Sequence, residues 1–208
     1  MLLITVLFCI FDGNGYLTLI SSLIGVTSLI FAAKGNPMGP FLMIIFSILY
    51  GIISFSFSYY GEMITYVGMT MPMSVIALVS WLRNPYENKK SEVKVNRISA
   101  KETVFALLLT AAVTVAFYFI LDAFDTANII PSTISVTTSF LAVYLTWRRS
   151  PYYALAYAAN DVVLIILWVI ASVQDVSYLS VTVCFAVFLV NDLYGFFSWR
   201  KMEKRQSK

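Results

Sequence analysis

Apolar runs of about 20 residues, separated by short polar or basic intervals, recur from one end of the chain to the other. At 1.5 Å per residue each run crosses a hydrocarbon core of about 30 Å, so each reads as a transmembrane helix. Seven spans follow, at residues 16–34, 37–58, 61–82, 103–121, 128–147, 151–171 and 177–199. Residues 1–12, beginning MLLITVLFCIF, give a helix of only about 17 Å, too short to span, and read as the remnant of a further N-terminal helix or as an interfacial one. A cleavable signal peptide is the rival, but the basic leading residues and the small-residue cleavage site are missing.

Composition agrees with this pattern. The chain of 208 residues is 60% hydrophobic and 12% charged, with a mean hydropathy of +0.82. Soluble domains carry about a quarter charged residues. The chain is therefore expected to be an all-α polytopic membrane protein, in contact with a lipid bilayer and with no soluble domain left over.

The polar intervals set its orientation. Threading the spans alternately puts Lys34, the six Lys/Arg of residues 83–102, Arg148, Arg149 and the basic tail after Trp199 on one side, which accounts for all 14 basic residues. Asp12, Asp122, Asp125 and Asp175 fall on the other, with Glu62 close to that surface. By the positive-inside rule the basic side, including the C-terminus, faces the cytoplasm of a multi-pass cell-membrane protein. Residues 83–102 read as a solvated basic connector, without nucleic-acid binding, and residues 200–208 as a cytoplasmic tail.

Several chemistries are excluded. Histidine is absent, which removes His-ligated zinc, histidine general bases and the Ser-His pair. Cys9 and Cys184 sit in apolar runs with no ligand spacing, so no metal is expected. No G-x-x-x-x-G-K-[ST] phosphate loop is present. No catalytic residues and no cofactors are expected.

The order of spans repeats. Residues 16–82 and residues 128–199 each form three helices of the same orientation, and residues 103–121 supply the odd helix needed to join two parallel triplets. GVTSLIFA (Gly25 to Ala32) faces VTTSFLAV (Val136 to Val143), and Trp81 in SWLRNP and Trp199 in SWRKM close the two halves. Parallel repeats about an axis along the membrane normal are the arrangement of SWEET-type transporters, whose substrate site lies near mid-membrane between the halves.

Ionisable groups inside a membrane face a bundle interior or a cavity. Asn160 and Asp161 lie about 15 Å from the basic end, and Asn191 and Asp192 about 13 Å. Helical spacing puts Tyr157, Asp161, Leu164 and Trp168 on one face, and Phe188, Asn191 or Asp192, Gly195 and Trp199 on another. The matching stripe of residues 61–82 is Glu62, Tyr66, Thr70 and Met73, with Pro72 able to kink the helix. Aromatic walls with amide and carboxylate groups suit a flat ring joined to a sugar, and a cationic ring gains further from the π faces. The alternative is that Asn and Asp merely hold helices together by hydrogen bonds. Trp81, Trp147 and Trp199 read as interface anchors.

Together, YYGEMITYVGMTMPMSVIALVSWLRNPY (Tyr59 to Tyr86), ANDVVLIILWVIA (Ala159 to Ala171) and NDLYGFFSWRKM (Asn191 to Met202) resemble the PnuC family of vitamin transporters, in order and spacing over nearly the whole chain. The resemblance implies a SWEET-like fold of two three-helix bundles around a linker helix, a further N-terminal helix and a homotrimer. It also implies facilitated diffusion of nicotinamide riboside, a vitamin B3 precursor for NAD biosynthesis, which a cytoplasmic kinase then traps by phosphorylation. Relatives carry thiamine, riboflavin or deoxyribonucleosides. The sequence departs from the family where only the last dozen residues of the extra first helix are present. The repeat also puts Phe46 and Ser47 opposite Asn160 and Asp161, so the halves are unequal. The competing class is a substrate-binding subunit of an ATP-driven vitamin importer, which would need a small-residue docking stripe; no clear A-x-x-x-A is found in the first helix.

Overall fold

The structure is a computed structural model that describes residues 16–57, 59–87, 89–126, 128–173 and 175–207. The expected N-terminal remnant lies outside these residues. Among the described residues, seven helices are long and apolar enough to cross a membrane: α1 Tyr16–Ala33, α2 Met38–Ser56, α3 Tyr60–Arg83, α4 Ala100–Ala123, α5 Ile129–Trp147, α6 Tyr153–Ser172 and α7 Leu179–Gln206. Six of them close a ring. In order around it, α1 packs on α2, α2 on α3, α3 on α5, α5 on α6, α6 on α7, and α7 returns to α1. Helix α4 stands outside, packed on α5, and buries only 17% of its apolar window.

Small residues bring the helices close. Against α1, Gly39 of α2 lies so near that a Cβ would come within 2.7 Å of the Ala32 nitrogen, and Ser28 donates to the Gly39 carbonyl at 2.8 Å. Several Ser and Thr hydroxyls along the apolar helices return to carbonyls of their own helix, as Ser47 does to Met43 and Thr65 to Gly61, both at 2.8 Å. That satisfies these hydroxyls where no water is at hand.

The expected irregularity at Pro72 takes a definite form. Proline has no N–H to give to the preceding turn, and residues Tyr66–Thr70 wind as a π turn between two α segments. The Met71 N–H reaches back to the Tyr66 carbonyl. Both Tyr66 and Thr70 are turned into the ring and buried.

At the basic end two tryptophans meet. Trp81 of α3 donates to the Thr146 carbonyl of α5 at 2.9 Å, and Trp199 of α7 to the Ala32 carbonyl of α1 at 2.8 Å. Both indoles are fully buried, so they sit within the ring and are not the interface anchors expected from sequence. Trp147 is half-buried, with the Arg148 guanidinium 5.5 Å from its ring centroid. The Trp81 and Trp199 acceptors also fix the repeat register: Ala32 corresponds to Thr146, about one helical turn beyond the expected Val143. The following turns agree, since Gly35 and Arg149 both have positive φ, 67° and 56°.

Residues 83–102 are a folded strap, where a solvated connector was expected. Strands β1 (Pro85–Tyr86) and β2 (Lys89–Val93) pair antiparallel. Val93 is fully buried, and its N–H meets the Gly35 carbonyl at 2.9 Å. Further on, the Asn96 N–H meets the Arg149 carbonyl at 3.0 Å. Helix α7 continues through the expected tail to Gln206, whose side-chain oxygen accepts the Val95 N–H at 2.8 Å, while Arg97 pairs with Glu203 at 2.8 Å.

Candidate functional site

Aromatic side chains from α2, α3, α6 and α7 converge inside the ring. On α2, Phe46 and Tyr50 are one turn apart and stack at 5.5 Å. Tyr50 meets Tyr66 of the π turn edge-on at 4.4 Å and Phe185 of α7 at 5.5 Å. Phe188 stands 5.4 Å from Phe46, close enough to the α1 backbone that a Cβ on Gly25 would fall 2.3 Å from its Cζ. Trp168 of α6 closes the group: it is fully buried and donates its indole N–H to the Tyr50 hydroxyl at 2.8 Å. Beyond Trp168, Tyr59 and Tyr178 lie 4.8 and 5.8 Å from its ring.

A polar cluster adjoins this wall on the α5 side. The Asn160 side-chain oxygen accepts from Thr138 and Ser139, each at 2.9 Å, and from Ser135 at 3.4 Å. Asn160 therefore braces α6 against α5, and the Tyr66 hydroxyl faces it from α3. Glu62 is 1% exposed and lies beside Ser135. Among the described residues, neither of its carboxyl oxygens finds a donor in hydrogen-bond geometry, and the Thr70 hydroxyl has no hydrogen-bond partner.

Asp161 and Asp192 form a second polar group. They are 3% and 4% exposed, and their carboxyl groups face each other between α6 and α7. One Asp161 oxygen has no donor. Tyr153 and Tyr157 lie within the electrostatic reach of Asp192. Tyr157 also borders a cavity of about 20 Å³, room for about one water, with Ser28, Met43, Ser74, Thr146 and Tyr153. Asn191 is half-buried, its amide nitrogen without an acceptor.

The residues singled out from sequence thus fall into three places. Tyr66, Thr70, Trp168 and Phe188 belong to the aromatic wall or its edge, Asn160 to the hydroxyl cluster, and Tyr157, Asp161, Asn191 and Asp192 to the α6–α7 seam and its surroundings. Sequence reasoning missed Tyr50, which binds Trp168, and the donors Ser135, Thr138 and Ser139. The signals were present: Phe46 and Tyr50 share a helical face, and Ser135, Thr138 and Ser139 follow i, i+3, i+4 spacing. Phe46 joins the wall, whereas Ser47 bonds only its own helix.

A ring of membrane-crossing helices, lined inside by aromatic and partnerless polar side chains, defines a membrane transporter more readily than an enzyme. The family model for the nicotinamide mononucleotide transporter matches residues 15–201, and the chain belongs to this family, that of the PnuC transporters. Membership makes it a multi-pass membrane transporter and not an enzyme. It is 23% identical over 205 residues to the nicotinamide riboside transporter PnuC of Neisseria mucosa, covering 95% of this chain and 77% of that protein. The nicotinamide riboside transporter PnuC of Haemophilus influenzae is 22% identical over 193 residues, 92% of this chain and 82% of that protein. The fold is similar to the crystal structure of the vitamin B3 transporter PnuC, with a TM-score of 0.86 and 21% identity over 98% of this chain and 88% of that one.

Proposed function

We propose that this protein takes up nicotinamide riboside by facilitated diffusion. In this reading the fold is SWEET-like: α1–α3 and α5–α7 are two parallel three-helix bundles, α4 is the linker, and the halves rock about a site inside the ring. The basic end is cytoplasmic, and a cytoplasmic kinase retains the vitamin by phosphorylating it. Three copies assemble in the membrane, as the family resemblance implies. The substrate-binding side chains are Tyr66, Thr70, Trp168 and Phe188 of the wall, with Asn160, Asp161, Asn191, Asp192 and Tyr157 lining or bracing the cavity.

One observation favours a riboside over a mononucleotide. Among the described residues, every Lys and Arg lies at or beyond the basic ends of the helices, so none is inside the ring to receive a phosphate. The acidic side chains that are there, Glu62, Asp161 and Asp192, offer it no counter-charge. A flat ring joined to an uncharged sugar instead meets π faces, hydroxyls and amides that can hold it.

The test is calorimetry on the purified protein with nicotinamide riboside, nicotinamide mononucleotide, thiamine, riboflavin and deoxyribonucleosides, followed by uptake into liposomes without ATP or an ATPase. Selective binding and uptake of nicotinamide riboside is expected. Selective binding of another compound reassigns the substrate, and uptake that requires an ATPase overturns facilitated diffusion.

A further inference from the structure

Glu62 is an unusual side chain to find inside an apolar ring. It begins α3, one turn before Tyr66, so the two share a face. It is as deeply buried as the core aromatics, at 1% exposure. Gly61 beside it is packed so that a Cβ would lie 2.6 Å from the Thr126 methyl, which holds this turn against the end of α4. Burying a carboxylate is expensive unless a cation or several donors compensate it. Among the described residues, neither oxygen of Glu62 has a donor in hydrogen-bond geometry. The four ion pairs among the described residues all involve Arg97, Arg148, Arg200 or Arg205, at the basic end. Its surroundings are instead Ser135 and the phenols of Tyr50 and Tyr66.

A buried carboxyl group with no cation beside it among the described residues, set behind electron-rich ring faces, is a receptor for one kind of ligand. A flat aromatic cation would place its ring against Tyr50, Tyr66 and Trp168, where the π faces attract positive charge, and its charge within reach of the carboxylate. A neutral ring of the same shape would gain the stacking but leave the carboxylate uncompensated. We infer that Glu62 is the counter-charge of the transported substrate, and that the site selects cationic aromatic rings over neutral ones.

This inference rests on the proposed site inside the ring and names its substrate class. It is separable from the choice of nicotinamide riboside, because thiamine also carries a cationic ring whereas riboflavin and the deoxyribonucleosides do not. The reduced, dihydro form of nicotinamide riboside is neutral with almost the same outline, and is the natural control.

The experiment measures binding of the oxidised and dihydro ribosides and of thiamine to the wild-type protein and to Glu62→Gln, in detergent, by calorimetry. The wild type is expected to bind the oxidised riboside about tenfold or more tightly than the dihydro form. Glu62→Gln, which keeps shape and loses charge, is expected to lose most of that preference through weaker binding of the cation, while dihydro binding changes by about twofold or less. A loss shared equally by both forms, or no loss, overturns the inference and leaves the proposed substrate standing. Thiamine bound in place of the riboside, with the same dependence on Glu62, overturns the substrate and keeps the inference. Binding of neutral ligands only, or of none, overturns both. Should Glu62→Gln not reach the membrane, competition between the oxidised and dihydro ribosides on the wild type carries the test: absence of preference refutes the counter-charge.

Discussion

Trp81 and Trp199 stand ring against ring, 5.3 Å between centroids, and each gives its indole N–H to the opposite half of the chain. The exchange is reciprocal, so neither half completes its basic end alone. Each acceptor also caps its own turn: Ala32 receives the Gly35 N–H at 2.9 Å and Thr146 the Arg149 N–H at 3.0 Å.

Phenylalanine at either position keeps an aromatic ring but removes the donor and part of the volume. Trp81→Phe and Trp199→Phe are each expected to lower stability by about 1–3 kcal/mol, from a lost hydrogen bond and a smaller buried ring. Because the rings touch, the double variant should depart from additivity by about 0.5 kcal/mol or more. Reversible unfolding in micelles measures all three; strictly additive losses would contradict a shared contact.

The Trp168–Tyr50 hydrogen bond joins the two halves in the interior, where Trp168 has no water to turn to. Tyr50→Phe leaves its N–H buried without an acceptor and is expected to reduce stability by about 1–3 kcal/mol. If the aromatic wall receives the substrate, the same variant weakens binding, which titration of intrinsic tryptophan fluorescence follows. Unchanged affinity would move the substrate away from this wall.

Gly25 exists to let Phe188 and Phe46 approach the α1 backbone. Gly25→Ala puts a methyl group 2.3 Å from Phe188 Cζ, so the ring must shift, at about 1–3 kcal/mol. Phe188→Leu in the same chain removes the clashing ring and should restore part of the loss. Thermal unfolding of the single and double variants checks this, and no rescue would mean that the strain falls on Phe46, whose ring atoms lie 2.9 and 3.0 Å away.

In the α6–α7 seam, Asp161→Ala and Asn191→Ala are each expected to reduce uptake several-fold while the protein still inserts and purifies. Each removes a polar atom that has no hydrogen-bond partner among the described residues. Liposome uptake beside a membrane-fraction assay separates transport from insertion; wild-type rates in both variants would exclude this seam from the pathway.

How far the sequence leads can be followed residue by residue. Apolar run length alone locates seven helices, because a lipid core leaves the backbone no alternative to internal hydrogen bonding. The deep acids are equally visible, since their rarity in such runs marks them. Partnerships across the ring are not visible: nothing near Trp168 in sequence points to Tyr50, because the two are joined only by how α2 and α6 pack. Glu62 reads as lying near a helix end, which is true, but it is buried beside Ser135 of another helix, while its neighbour Gly61 packs on Leu121 and Thr126. The match of residues 25–32 to residues 136–143 is offset by a turn, whereas the pairing of Phe46 with Asn160 has the same spacing as Ala32 with Thr146. The offset arises because shifting a helix by about one turn restores nearly the same face, and the first stretches are too alike in composition to choose. The strap reads as a solvated loop because its apolar residues, Val93, Val95 and Ile98, are scattered among charged and polar ones, whereas the fold packs Val93 beside Gly35 in one cluster with Met202.

That strap has a mechanical consequence. Gly35 and Arg149 occupy equivalent turns of the two halves, and the same short segment hydrogen-bonds to both, through Val93 and Asn96. On the proposed rocking motion this ties the two bodies together at the basic end, like the rivet of a pair of tongs, so a given rotation opens the opposite mouth with the tie intact. Opening toward the basic end must stretch or release one of those two bonds. The length and stiffness of three residues of backbone, remote from any substrate contact, then help to set how the protein divides its time between facing outward and facing inward.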